Sequence, residues 1–312
     1  MDKNEKKKIR VILSGGSVKS SFQLGVLSEI MKYDDYIIDS VYGCSSGSLL
    51  SSFVATNKID LAIEKFVNIK DIDDIFERHK FCGITIPSWR LILFFNAFFN
   101  LGAYKSVKLV DEIKELLSED ELKIAQEKCH VVAYDVINNK ETWFTGEDLL
   151  DGIRCSTAIW LVIPPIKFKD NMYTDGGVTE IFPLDYILRN NLDENFDGEY
   201  IFIDCDSRKP YKNILSTNGL SFMIDLHWAT ASRLSEMKLE HFKSKIKNKI
   251  HIIRPDDTIL NTLEVHPGKM KEYFEAGKLK GQEFMENIKN KHNSKLKLFI
   301  SRNKFRNIFK II

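Results

Sequence analysis

The chain alternates short unbroken apolar runs with stretches in which apolar residues return every three or four positions. Residues 9–13, IRVIL, are rich in β-branched and aliphatic residues and end at Gly15 and Gly16, the pattern of a buried strand entering a sharp turn. From Ser20 onward Phe22, Leu24, Val26, Leu27, Ile30 and Met31 follow a helical spacing, with Ser20 or Ser21 available as an N-cap. YIIDSVYGC at 36–44 predicts a second strand, which runs into the turn GCSSGS and a helix through LLSSFVA. Two strand–turn–helix units within the first 55 residues predict a parallel or mostly parallel sheet with helices on its faces.

Further on, LAIEKFVNI and SVKLVDEIKELL (106–117) read as helices, and HVVAYDVIN with KETWFTG as a strand pair turning at Asn138 and Asn139. DLLDGIRCSTAIWLVIPP predicts a helix stopped by Pro164 and Pro165. IKFKDNMYTDGG reads as a hairpin turning at Asp170 and Asn171, and EYIFIDCD as a buried strand. A helical segment over 219–249, a strand IHIIRP and a helix MKEYFEAGKLKGQEFMENIKNKH complete the pattern, with no repeat period.

With 312 residues, 44% of them hydrophobic, the chain has the material for one large α/β domain or two small ones, and one domain with peripheral elaborations is expected. Its formal charge of +1 conceals an asymmetry. Residues 291–312 carry Lys291, Lys295, Lys297, Arg302, Lys304, Arg306 and Lys310 and no acid, so the remainder holds 38 basic and 44 acidic groups, a net of −6. The expected organisation is therefore a domain at 1–290 and a basic tail at 291–312. Five widely spaced cysteines predict free thiols in a reducing compartment, and no Cys/His cluster has metal-ligand spacing. The N-terminus turns into a strand after too few apolar residues for a signal peptide, so a cytoplasmic protein is expected.

The loop SGGSVKSS invites a phosphate, but a Walker A loop would need glycine at Leu13 and Val18, and a dinucleotide fingerprint would need it at Ser17 and Ser20. What remains is a strand, a glycine turn and a helix N-terminus, which aim backbone donors at something negative. The next turn supplies a nucleophile. Gly43-Cys44-Ser45-Ser46-Gly47 is a Gly-x-Ser-x-Gly element between a strand and a helix, and only Ser45 has glycine at both −2 and +2. A serine needs a base. The elbow follows a single strand, which leaves no room for an α/β-hydrolase order, and none of the seven histidines sits in a recognisable motif. The best-placed carboxylate is Asp175, where the apolar strand of MYTDGG ends at Gly176 and Gly177.

These three elements, SGGSVKSSFQLGVL, GCSSGS and TDGG, resemble in order and spacing the patatin-like phospholipases, serine acyl hydrolases with a Ser–Asp dyad. CSTAIWLVIPPI ahead of YTDGGVTEIFPL and the segment NLGAYKSVKLVDEIKELL are also similar to that family, so the likeness covers roughly residues 9–206. The resemblance implies an α/β three-layer sandwich, a central mostly parallel sheet flanked by helices. It makes Ser45 the nucleophile and Asp175 its base. Gly15, Gly16 and Ser17 would supply oxyanion N–H groups, a contribution worth about 3–4 kcal/mol per donor in other serine hydrolases. Lys19, in the family's basic loop position, is assigned to loop geometry or local electrostatics rather than proton transfer, with Ser20, Gly43, Gly47, Gly176 and Gly177 as support; no metal or cofactor is required. The family loop usually reads Gly-Gly-Gly-x-Arg/Lys-Gly, so Ser17 and Ser20 depart from it, and a φ above zero at either would cost about 1–2 kcal/mol. Trp160 stands where the family often has proline.

The implied substrate is a phospholipid or lysophospholipid. Two segments suit peripheral membrane contact. WRLILFFNAFFNLGAY, residues 89–104, is too short and too interrupted to span, and fits an acyl-pocket wall, an interfacial flap or a buried core helix. The tail places Phe305, Ile308, Phe309 and Ile312 on one helical face with Lys304, Arg306 and Lys310 between, which fits a helix lying on anionic lipid or docked on the protein. No nucleic-acid signature accompanies the charge. Two other readings stay open beside turnover: a patatin-like protein that has lost activity and binds lipid, and an enzyme waiting for a protein or small-molecule activator.

Overall fold

The computed structural model describes residues 6–75, 77–78, 80–81, 84–85, 104–105, 107–160, 162–209, 219–261 and 265–308, with 219–225 and 291–308 described by their backbone. Eight strands form the central sheet: β1 (Lys7–Leu13), β2 (Tyr36–Cys44), β3 (Cys129–Asp135), β4 (Lys140–Phe144), β5 (Ile166–Phe168), β6 (Asn171–Asp175), β7 (Glu199–Ile203) and β8 (Ile250–Ile253). They lie in the order β8-β7-β1-β2-β3-β6-β5, with β4 also paired to β3. The β8/β7, β7/β1, β1/β2 and β2/β3 pairs are parallel, and the three pairs around β4, β5 and β6 are antiparallel.

The strands show why the apolar runs are unbroken. In β1, Ile9, Val11 and Leu13 enter the core on one face and Ile12 the core on the other; β7 divides the same way, Ile201 and Ile203 against Tyr200 and Phe202. A sheet covered on both faces has no polar side to alternate with. On the first face lie α1 (Ser20–Ile30), α2 (Ser46–Ala55), α3 (Ile59–Val67), α4 (Val107–Leu116), α5 (Glu119–Lys128), α6 (Leu149–Ser156) and α9 (Pro267–Ile308); on the second, α7 (Asp185–Arg189) and α8 (Gly219–Lys245). This is the expected three-layer arrangement.

One feature of the register positions the site. β2 pairs with residues 129–132 of β3, β6 pairs with residues 133–135, and β4 occupies the opposite edge. Strands β2 and β6 therefore run head-on along one edge of β3. Cys44 is registered to Val132 and Asp175 to Ala133, so the two strand ends meet.

Several expectations need correction. α6 ends at Ser156, well before the prolines, and Ser156 and Thr157 turn their hydroxyls to backbone partners there. α1 is entered through a 3-10 turn at Ser17–Lys19 and has no side-chain cap. Ser20 contacts Ser46 through their hydroxyls, and Ser21 donates to Val18 O. The hairpin turns at Lys169, where φ is positive, and Asp170. Helix α9 runs through residues 290 and 291, its helical backbone continuing to Ile308. Residues 309–312 and, apart from Tyr104, the stretch 89–104 lie outside the described residues. Among the described residues no helix is long and apolar enough to cross a membrane, and Cys44, Cys129, Cys155 and Cys205 are buried free thiols.

Candidate active site

Ser45 sits at the crest between β2 and α2 with φ 52° and ψ −125°, a backbone conformation that side chains rarely adopt. The flanking glycines permit it by close approach. A Cβ on Gly43 would stand 2.5 Å from Gly47 O, and one on Gly47 would stand 2.6 Å from Leu13 O. The strained Ser45 N–H is held by Ser156 Oγ at 2.8 Å. No local sequence pattern marks Ser156 as the partner of Ser45.

Asp175 closes β6 opposite. Ser45 Oγ donates to Asp175 Oδ2 at 2.6 Å, and Asp175 Oδ1 accepts from Gly177 N–H at 2.7 Å. Gly176 is pressed against β3, where a Cβ would meet Val132 O at 2.4 Å. Both side chains are buried, Ser45 to 1% and Asp175 to 3% exposure. Burial pushes the Asp175 carboxyl from 3.8 up to about 7, against the lowering effect of its hydrogen bonds from Ser45 and Gly177. Among the described residues no histidine is hydrogen-bonded to either group. Burial pushes His130, stacked on Tyr42, down to about 4.

The glycine loop passes directly beside the serine: a Cβ on Gly15 would lie 3.1 Å from Ser45 Cβ. The expected donor set is nevertheless narrower than three. Gly15 N–H is committed to Ile181 O at 3.1 Å and is not free for an oxyanion. The N–H groups of Gly16 and Ser17 have no acceptor among the described residues. Gly16 admits no side chain, because its Cβ would fall 2.0 Å from Cys205 Sγ. Lys19 is buried and its ammonium lies 2.9 Å from Asp206 Oδ2, just past β7. That buried ion pair ties the glycine loop to the residues after β7. Sequence reading missed Asp206 because 187 residues separate the partners.

The two departures from the family glycines behave differently. Ser17 has φ 53° and carries left-handed strain, whereas Ser20 has φ −64° and begins a helix. Ser17→Gly is therefore expected to stabilise by up to about 1 kcal/mol, and Ser20→Gly to destabilise by about 1 kcal/mol, opposite signs that denaturant midpoints resolve.

From Ser45 a cavity of about 280 Å³ extends between α2, α3 and α4. Leu49, Leu50, Phe53, Phe66 and Ile113 supply apolar wall, Ser17, Ser46 and Thr157 lie with Ser45, and Lys65, Asp74 and Glu112 bring charge. A hydroxyl on a buried carboxylate, unpaired N–H groups, a helix N-terminus and an apolar cavity together suit the attack of an oxygen nucleophile on an acyl carbonyl.

The model of the patatin-like phospholipase family matches residues 11–188, more than half of the chain. The chain belongs to that family. A protein named probable lipid hydrolase 463L, of Invertebrate iridescent virus 6, is 26% identical over 196 residues, 59% of this chain and 65% of that protein. The chain thus spans somewhat less than two thirds of this relative's length. The uncharacterized protein R571 of Acanthamoeba polyphaga mimivirus is 23% identical over 282 residues, 85% of this chain and 89% of that protein. Among solved structures, VipD from Legionella pneumophila aligns with 91% of this chain and 67% of its own, at a TM-score of 0.43 and 12% identity. In this patatin-like chain the matched stretch ends within α7, past the Asp175 loop, so α8 and α9 lie beyond it.

Proposed function

We propose that this patatin-like protein cleaves acyl ester bonds of phospholipids or lysophospholipids through an acyl-Ser45 intermediate. The observation that carries this reading is the 2.6 Å contact between Ser45 Oγ and Asp175 Oδ2, buried at the end of an apolar cavity. Asp175 takes the Ser45 proton as Oγ bonds to the acyl carbon, and the developing oxyanion turns to the N–H groups of Gly16 and Ser17. As the C–O bond to the leaving alcohol breaks, Asp175 returns the proton to its oxygen. Water then replaces the alcohol: Asp175 takes a proton from it, the hydroxide attacks the acyl carbon, and Ser45 leaves reprotonated with the free fatty acid. A carboxyl titrating at about 7 is a stronger base than an ordinary aspartate and remains mostly ionised just above neutrality. No metal enters these steps. The domain at 1–290 would carry the chemistry, and segments 89–104 and 291–312 would meet the membrane from the cytoplasm, as their apolar and basic patterns suit.

The test combines a fluorophosphonate probe with lipid mass spectrometry of treated phospholipid vesicles. Wild type is expected to label covalently and release fatty acid and lysolipid, and Ser45→Ala to do neither. Folded wild type that neither labels nor releases fatty acid, with or without vesicles, would remove the reading.

A further inference from the structure

Residue Ile181, six positions past Asp175, is tied at both of its backbone groups. Its C=O accepts from Gly15 N–H at 3.1 Å, which joins the Asp175 loop to the donor loop. Its N–H donates to Ser235 Oγ of α8 at 3.1 Å, and Ser235 is fully buried. The same face of α8 grips the segment on either side. Trp228, seven residues earlier, packs on Gly177, whose Cβ would stand 3.0 Å from the indole ring. Lys238, three residues later, reaches Asp185 Oδ2 at 3.1 Å, Glu141 Oε1 at 3.2 Å and the buried Glu180 Oε1 at 3.9 Å. Positions 228, 235 and 238 fall on one helical face by their spacing. Helix α8 lies outside residues 11–188, so nothing in the family match gives it a role.

We propose that Ser235 is a positioning residue: through Ile181 it holds the Asp175 loop and the Gly15–Ser17 donor loop in one register, with α8 as the clamp. The physical reason is that a buried N–H left without an acceptor is costly, so the segment shifts to satisfy it. A shift at Ile181 cannot be confined, because Gly15 follows through Ile181 O, and Gly16 and Ser17 follow Gly15. Both halves of the site would then lose alignment together, while Ser45, held from Ser156, stays in place.

This inference rests on the hydrolase reading for its kinetic readout, and a second readout is independent of activity. The full chain is compared as wild type, Ser235→Ala, Ser235→Thr and Lys238→Met. In fluorophosphonate labelling the end point counts folded sites and the rate constant reads their geometry. Ser235→Ala is expected to keep the end point and lower the rate constant about tenfold, the equivalent of one orphaned buried N–H. Ser235→Thr, which keeps the acceptor oxygen, is expected to recover most of the rate, and Lys238→Met to show a smaller fall. Hydrogen exchange should rise together at Ile181 and at Gly15 in Ser235→Ala, whether or not the protein turns over lipid. A lowered end point with an unchanged rate constant would reduce Ser235 to ordinary packing, and exchange at Gly15 that stays at the wild-type level would overturn the coupling. Wild type that never labels would sink the hydrolase reading alone, and the exchange data would still decide the clamp.

Discussion

Asp175→Asn is expected to cost nearly all turnover and to raise the thermal stability of the protein above neutral pH. The carboxyl is buried, and burial pushes it from 3.8 up to about 7 in the folded chain. Between about pH 4 and 7 the unfolded chain has already lost this proton while the folded chain keeps it, so stability falls as pH rises through that window. Above pH 7 the penalty is complete and amounts to about 4 kcal/mol. An asparagine does not titrate, yet its Oδ1 still accepts from Gly177 N–H and its amide still reaches Ser45 Oγ. The variant should therefore match wild type near pH 4 and melt several degrees higher at pH 8.5. Glu180, pushed by burial up to about 8, lowers stability over an overlapping window, but it does so in both proteins and cancels in the difference. For activity the sign is reversed. Wild-type labelling should fall tenfold per pH unit below about 7 as the base is protonated, and the variant should be slower by about 10⁴-fold with no such limb. Melting curves and labelling rates across pH 5–8.5 check both halves. Equal melting temperatures at pH 8.5 would mean that Asp175 carries no buried charge there.

What the sequence made legible was local. The runs VIL and YIFI are unbroken because both sheet faces are covered, and Gly15 and Gly16 mark where the first of them turns. Ser45 and Asp175 could be named because an elbow and an Asp-Gly-Gly turn each need residues at fixed short offsets. The partners that hold those turns were not legible. Ser156 under Ser45, Asp206 on Lys19, and Ile181 on Gly15 lie 111, 187 and 166 positions from the groups they satisfy. No periodicity records which distant acceptor a buried N–H will find, and the Gly15 N–H, expected among the oxyanion donors, is engaged by Ile181 O. Ser118 and Glu121 form a capping box in front of α5, and Ser-x-x-Glu is a signature visible without coordinates.

The last helix offers the other large effect, because there the local rule and the tertiary contact demand opposite outcomes. Glycine inside a helix is worse than alanine by about 1 kcal/mol, so on propensity alone Gly277→Ala, three turns into α9, should stabilise. The packing says the reverse. A Cβ on Gly277 would stand 2.1 Å from Phe22 O of α1, and one on Gly25 of α1 would stand 2.0 Å from Phe274 O of α9. These are backbone atoms of two helices in direct contact, and no rotamer change relieves the overlap. The helices must part, which is expected to cost about 2–3 kcal/mol net for alanine and more for valine. Gly268→Ala, in the first turn of the same helix, meets only the His266 ring at 3.3 Å and serves as the control that should be neutral or better. The damage should also reach the chemistry. Tyr273 on α9 donates to Cys205 O at 2.8 Å, and Cys205 Sγ lies against Gly16 and hydrogen-bonds Gly15 O at 3.1 Å. Urea midpoints of the three proteins decide the matter. A Gly277→Ala midpoint at or above wild type would mean that α1 and α9 do not touch at their backbones, whereas a fall together with slower labelling would tie the far end of the chain to the donor loop.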